Sequence, residues 1–526
     1  MQTLRIFSGV LSVAWSARRV RSARVAVALI ATLALTGVAV GLGLSIFRPF
    51  EDDSGDIQSA PSNVMISTSG GSIVPVSAPL DDTNKFFDPG FGTNGQACVT
   101  CHQPNLGFTI NVRSIQSAFN ATGLTDPLFR LNDTANDPNG SESADNFSLF
   151  MDTGVVRIGK TFAASSDFTV APQDTAKFGP LPLSMDPQQP GHTTLSLFRR
   201  PLVNTNVHLD SSVLWDGRAS IGNMRAQVIG AAKTLLLAPS ASNDDADQVV
   251  AFMLGVYTDE GFDTAAGLDA NGNCLLSTCG AGLLDAEGAQ GGVANLRTLA
   301  LGPNAPCNTP SAANLLQNSC TTNTPGYSIF DAWLNLPSAT GKIAGRGVIA
   351  HGQEVFDTAN LTIPAGGIPG LSQTTGTVIH CTTCHAKSDV GNNPDATFFV
   401  RIGTDSVQIL TALNSPVAGL LARAQNLPDY CLRPKSDPTP FSAAACGTHS
   451  GDVETTDPGR AMVTGHIADV GKFKPPILRG LTVRSPYFHA GLADGIDALV
   501  DFYNARFSIG LTDVEHRDLV SFLEAQ

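Results

Sequence analysis

Not one acidic residue occurs in the first 48 positions, where six arginines stand instead, Arg18, Arg19, Arg21 and Arg24 among them. The run that follows, Val25 to Phe47, carries no charge at all. A basic segment leading into an apolar one is an export signal whose N-terminus stays in the cytoplasm. The run is long for a cleaved signal and no A-x-A site follows it, so the sequence favours an uncleaved anchor, with the rest of the chain in the periplasm. Nothing amphipathic in the pattern supports a buried core helix. Charged residues are also scarce overall, at 15%. With 51 glycines and 32 prolines, that scarcity excludes a body of long solvent-facing helices and predicts many loops. Basic residues are the scarcer kind: beyond residue 48 the chain has 26 of them against 46 acidic ones. Such a surface excludes nucleic acid as a partner and suits a basic redox protein, because opposite fields speed encounter.

At 526 residues the chain is long enough for two or three cores. Residues 1–48 form the signal or anchor, and 49–83 a Ser/Pro/Asp-rich tether without apolar period. A first domain is expected over 84–340, with loop-rich insertions at 103–190 and about 259–325. A second, over 341–526, opens on the helix "GRGVIAHGQEVFD". Near the C-terminus Ile496, Leu499, Val500, Tyr503 and Phe507 recur at helical spacing. Thr512 and Glu515 form a capping box for a last helix. Strand-like alternation is scarce outside the insertions, so the predicted class is mainly α, with long loops.

Ten cysteines remain to be explained. Six fall into close pairs bracketed by loop-forming residues: Cys274 with Cys279, Cys307 with Cys320, and Cys431 with Cys446. In an oxidising compartment proximity suggests three local disulfides. The other four form two C-x-x-C-H motifs, Cys98-Cys101-His102 in "ACVTCHQPN" and Cys381-Cys384-His385 in "VIHCTTCHAKSD". Zinc needs four ligands, and each motif offers three with no obvious fourth nearby. A redox dithiol does not need the histidine and would follow a strand of a βαβ unit, a pattern missing here. Two thiols spaced for the vinyl groups of a haem, with a histidine placed for the iron, fit c-type haem. Two covalently bound haem c groups are therefore predicted, with His102 and His385 as iron ligands.

The chain resembles the bacterial dihaem cytochrome c peroxidase family, which includes MauG-type proteins. The matching pieces are "KFFDP", "GHTTLSLFRR", "VLWDGRAS" and "GKFKPPILRGLTVRSPYFHAG", spread from 85 to 526 with the insertions outside the match. The resemblance implies two cytochrome c-like haem domains. It makes His192 the sixth ligand of the first haem, leaving before peroxide binds, and Trp215 the conduit between haems. It places Tyr503 as sixth ligand of the second haem, as in MauG-type proteins. No methionine follows Met462, which excludes the thioether that the peroxidases use there. His489 would be a pocket residue near the second haem and Gln227 a residue of the peroxide site.

Two departures stand out. The family carries a catalytic Glu a few residues beyond that Gln, whereas "AAKTLLLAPS" has no carboxylate. Asp244, Asp245 or Asp247 could substitute only if the loop folded back. The family's interdomain calcium uses an Asn where this chain has Arg200, which counts against calcium, although "LDANGN" at 268–273 offers oxygen ligands of low specificity. The implied activity is reduction of hydrogen peroxide with electrons from a small cytochrome c or cupredoxin. A MauG-like oxidase acting on an organic or protein substrate, and a non-catalytic electron carrier, stay open, as does a homodimer. Membrane contact is expected only through the N-terminal segment.

Overall fold

The computed structural model describes residues 65–66, 72–75, 83–172, 183–185, 193–207, 210, 212–259, 327, 330, 334, 342–385, 391–393, 395–439, 446, 447 and 449–526. The expected anchor, most of the 259–325 insertion and the boundary near 340 lie outside these residues. So do His192, the 268–273 segment and the pairs Cys274–Cys279 and Cys307–Cys320. Among the described residues no helix is long and apolar enough to cross a membrane.

The helices, in chain order, are α1 (Cys98–Cys101), α2 (Val112–Thr122), α3 (Ser148–Thr153), α4 (Met224–Thr234), α5 (Asn243–Gly255), α6 (Lys342–Thr358), α7 (Cys381–Cys384), α8 (Val407–Leu413), α9 (Ala418–Ala424), α10 (Ala461–Thr464), α11 (Ile496–Phe507) and α12 (Asp513–Glu524). The strands are β1 (Met65–Ile66), β2 (Ser72–Pro75), β3 (Val156–Phe162), β4 (Phe168–Pro172), β5 (Leu183–Met185), β6 (Thr193–Arg199), β7 (Ser212–Val213), β8 (Ala219–Ser220), β9 (Val256–Asp259), β10 (Leu361–Thr362), β11 (Val378–Ile379), β12 (Tyr430–Pro434) and β13 (Val453–Thr455). They form small antiparallel sheets ordered β1-β2-β9, β3-β6-β5, β13-β12-β4, β7-β8 and β10-β11.

The largest apolar core gathers α6, α8, α9, α11 and α12, with Phe356, Leu410, Leu420, Val500, Phe502 and Phe522 buried in it. α12 starts on the Thr512–Glu515 capping box. α6 crosses α12 so closely that a Cβ on Gly352 would lie 1.9 Å from the Asp518 carbonyl oxygen. α11 is buried on more than the face its periodicity marks, because Phe502 packs against Phe488 on another side.

The segment from 103 to 172, expected as a loop-rich insertion, contains a core of its own. Ile110, Ile115, Phe129, Phe147 and Phe150 pack together there, with Cys101 at the edge. Its strand β4 pairs with β12 along five residues, from Phe168 opposite Pro434 to Pro172 opposite Tyr430. Chain from the two motif-bearing halves thus shares a sheet. Cys431 on β12 is disulfide-bonded to Cys446.

Candidate haem sites

The two C-x-x-C-H motifs fold alike. Each cysteine pair spans a single helical turn whose N-cap residue is extended, and each histidine leaves that turn with nearly the same backbone angles, φ −107° and ψ 72° at His102, φ −99° and ψ 68° at His385. A threonine hydroxyl closes each turn, Thr100 accepting from the Ala97 N–H and Thr383 from the His380 N–H. Six residues beyond each histidine a backbone carbonyl meets its ring: His102 Nδ1 lies 2.7 Å from the Phe108 oxygen, and His385 Nδ1 lies 2.5 Å from the Gly391 oxygen. A carbonyl only accepts, so Nδ1 donates, and the Nε2 lone pair is left for a metal. Burial lowers both imidazoles, His385 to about 4. They are neutral and able to ligate.

The thiols are unbonded. Burial pushes Cys98, Cys381 and Cys384 up to about 12 and Cys101 in the same direction. A redox dithiol needs the opposite shift, a thiolate near neutral pH. Among the described residues, the group of three or more His, Cys, Asp or Glu ligand atoms close enough to share a metal ion is Cys431, Cys446 and Asp452 at the disulfide, away from both motifs. Neither motif builds a zinc site.

A flat apolar macrocycle needs walls, and the cysteines stand at seams between apolar clusters. Cys98 packs with Phe86, Phe108 and Val249, while Cys101 packs with Phe129 and Phe150. Cys381 touches both the helical core and a second cluster of Leu361, Ile379 and Phe507. Beside α7 opens a cavity of about 160 Å3. Cys381, Cys384 and His385 form part of its wall, and Trp215, His489 and Tyr503 also line it.

His489 is 1% exposed. Its ring stacks on Phe473 at 4.1 Å, Nδ1 faces Thr404 Oγ1 at 3.5 Å, and Nε2 has no hydrogen-bond partner. Phe488, just before it, has φ +66°, a strained value for an aromatic residue. Gly491 is held at φ +67°, where a Cβ would lie 2.3 Å from the Thr153 carbonyl oxygen. This turn therefore needs its glycine and holds His489 rigidly. Tyr503 packs between Phe488 and Phe507, and burial raises its hydroxyl far above the usual phenol range.

Trp215 donates from Nε1 to the Arg200 carbonyl oxygen at 2.9 Å, and its ring lies 6.4 Å from that of His489. The Arg200 N–H in turn donates to the His489 carbonyl at 2.7 Å. The Arg200 guanidinium spans both halves. It donates to the Gly154 oxygen at 2.8 Å, to the Ile110 oxygen, and to the Arg484 oxygen at 3.1 Å. Arg484 itself donates to the Ile477 carbonyl. Neither arginine has a carboxylate partner among the described residues. Burial and their mutual repulsion lower Arg200 to about 9, and burial lowers Arg484 to about 10. Two guanidiniums on the wall of one buried cavity cost several kcal/mol unless an anion joins them. A haem carries two carboxylates, so the cavity's charge, its apolar walls and the thiols fit that group. Sequence reasoning assigned no binding role to Arg200 or Arg484, because their burial beside a cavity leaves no mark in a single sequence.

Arg199 lies at the end of β6. It holds Asp457 with two bonds, at 2.6 and 2.8 Å, and Asp216 with one at 2.7 Å. Asp216 also accepts from Arg218. This buried network fixes the Trp-Asp-Gly-Arg turn against the second half. Gln227 is half-buried on α4. The three aspartates weighed as substitutes for a catalytic carboxylate are engaged or exposed elsewhere. Asp245 caps α5 through Ser242, Asp247 pairs with Arg225 at the surface, and Asp244 is exposed in the first turn of α5.

No protein-family model matches the chain. Part of it is similar to named enzymes. It is 39% identical over 77 residues to cytochrome-c peroxidase IdrP2 of Denitromonas iodatirespirans, a match covering 13% of this chain and 21% of the relative. It is 38% identical over 80 residues to cytochrome-c peroxidase IdrP1 of the same organism, and 35% identical over 80 residues to IdrP1 of Pseudomonas sp. (strain SCT), with the same coverage. The matched stretch spans about a fifth of these curated relatives.

Proposed function

We propose that the protein is an exported dihaem c-type cytochrome of the peroxidase group, reducing hydrogen peroxide with electrons from a small redox protein such as a cytochrome c or cupredoxin. The observation that carries this reading is the cavity beside the second motif. It gathers two thiols, a neutral histidine, two arginines without acidic partners, and His489 with a free Nε2. Local similarity to cytochrome-c peroxidases supports the same class. Haem bound there and at the first motif would supply one-electron redox chemistry and a site for peroxide.

The chain's own residues would do the rest. Cys98, Cys101, Cys381 and Cys384 would hold two haems covalently, and His102 and His385 would ligate their iron. Arg200 and Arg484 neutralise carboxylates in the second cavity. Trp215, hydrogen-bonded through Arg200 to His489, lies on a short covalent and hydrogen-bonded route between the halves. By resemblance His192 would be a second iron ligand at the first haem, and Tyr503 at the second. His489 lines the same cavity with an unsatisfied nitrogen and competes with Tyr503 for that position. A second reading, a MauG-like oxidase, is favoured by Tyr503 standing in the cavity.

The test is direct. Protein matured in a host that attaches haem c should weigh two haems more than its polypeptide and consume peroxide with reduced cytochrome c. Material without added mass ends the reading. Tyr503→Phe and His489→Ala should each be compared with wild type by visible and resonance spectra. Whichever residue binds iron changes the second haem's spin state when replaced, and no change in either variant rejects both ligand assignments.

A further inference from the structure

Three backbone carbonyl oxygens from distant parts of the chain converge on one side chain. Arg200 Nη1 donates to the Gly154 oxygen at 2.8 Å, and Nη2 donates to the Ile110 oxygen and to the Arg484 oxygen at 3.1 Å. Other bonds hold those oxygens in place. Asn111, beside Ile110, donates from Nδ2 to the Val483 carbonyl at 2.8 Å, and its Oδ1 accepts from the Ser114 N–H in the first turn of α2. Thr109 Oγ1 donates to the Pro201 carbonyl at 2.6 Å. Gly154 closes α3, its N–H donating to the Phe150 carbonyl. The cage is therefore built by the backbone, with its partial negative charges turned to one buried point.

Proteins hold hard cations in this way, with backbone carbonyls, amide oxygens and water around the ion. Here a guanidinium fills the point. Arg200 is 4% exposed, and a Cβ on Gly154 would fall 1.9 Å from Nη1, so the side chain occupies the space over that turn. Among the described residues no carboxylate pairs with it. Its charged neighbour is Arg484, which repels it. A free divalent ion would meet two positive charges there, and three carbonyl oxygens already bonded.

We propose that the Arg200 guanidinium is a tethered cation, standing in the place of a metal ion and joining the 110 and 154 segments of the first half to the 484 segment of the second. The calcium that the family resemblance implies does not fit this chain. Arginine suits the task because it is always charged and its planar fork presents five donors. A bound ion leaves when its concentration falls, whereas a side chain stays. The same positive charge still counts toward haem carboxylates in the adjoining cavity. The cage consists of polypeptide alone, so it stands whether or not peroxide is the substrate.

The experiment compares haem-loaded, full-length wild type with Arg200→Asn, which offers an amide oxygen instead of a cation, and with Arg200→Lys, which keeps a positive charge. Each is dialysed against about 10 mM calcium, above the range of about 0.1–1 mM for weak protein sites, and the bound calcium is counted by elemental analysis. Arg200→Asn should hold one more calcium ion than wild type, and Arg200→Lys no more than wild type. Ions bound elsewhere cancel in these differences. In a calcium chelator Arg200→Asn should melt at least about 3 °C below wild type, because buried carbonyls are stranded. Calcium should return at least half of that loss and leave the wild-type midpoint where it was. An equal calcium count in wild type and Arg200→Asn overturns the proposal. So does the same gain in Arg200→Lys, a wild-type midpoint that rises as much as the variant's, or an unchanged midpoint for Arg200→Asn in chelator. If Arg200→Asn does not accumulate, Arg200→Gln carries the same comparison. Peroxide turnover is not the readout, so failure of the peroxidase reading leaves every one of these outcomes as it stands.

Discussion

At the scale of single residues, burial dominates the chemistry. His489 is held down to about 4 by desolvation, against the attraction of Asp457 and Asp405. An unfolded histidine takes a proton near pH 6.5, whereas the folded one refuses it until about pH 4. Stability is therefore lost as the pH falls through that window, by about 3 kcal/mol for this group alone. Denaturant unfolding of wild type and His489→Phe at steps between pH 7 and 4 should show the wild type losing more, and parallel curves would contradict the assignment. Arg199 makes the converse point. It is buried between Asp216 and Asp457, whose carboxyls it holds well below the usual range against the effect of burial. Arg199→Met strands the buried Asp457 carboxylate and leaves Asp216 with Arg218 alone, and should cost about 3–5 kcal/mol, measured as a shift of the urea midpoint at pH 7.

At the scale of elements, the C-terminus was legible because its signals are local. The Thr512–Glu515 capping box lies within one turn, and the spacing of Ile496, Val500 and Phe507 sets the face of α11. The motif geometry was legible for the same reason: Cys98 to His102 and Cys381 to His385 are each five consecutive residues. The segment from 103 to 172 was harder to read. Its polar composition suggests loops, yet Ile110, Ile115, Phe129, Phe147 and Phe150 are spread too widely to announce a shared core. β12 is also tied locally, by the Cys431–Cys446 bond across a sequence separation of 15. Replacing both cysteines with serine should lower stability by about 3 kcal/mol, read as a lower thermal midpoint. An unchanged midpoint would show that the loop is already held by Arg433, which pairs with Asp452 at 2.7 Å and donates to the Thr439 carbonyl at 2.9 Å.

At the scale of the whole molecule, the two motifs repeat one local design in different surroundings. The second stands at a cavity lined by Arg200, Arg484 and His489. The first lies among the aromatic residues Phe86, Phe108, Phe129 and Phe150. That asymmetry is also why one motif alone could not reveal a function. The link between them is continuous: Trp215 to Arg200, then the Arg200 guanidinium to the Ile110 and Gly154 carbonyls.

The pairing of β4 with β12 has a temporal side. A ribosome delivers Phe168 long before Pro434, so one edge of β4 must stand bare while more than half the polypeptide is still being made. An unpaired strand edge held open that long can pair with another chain. The sheet that joins the two halves can therefore close only late, once Pro434 has been made.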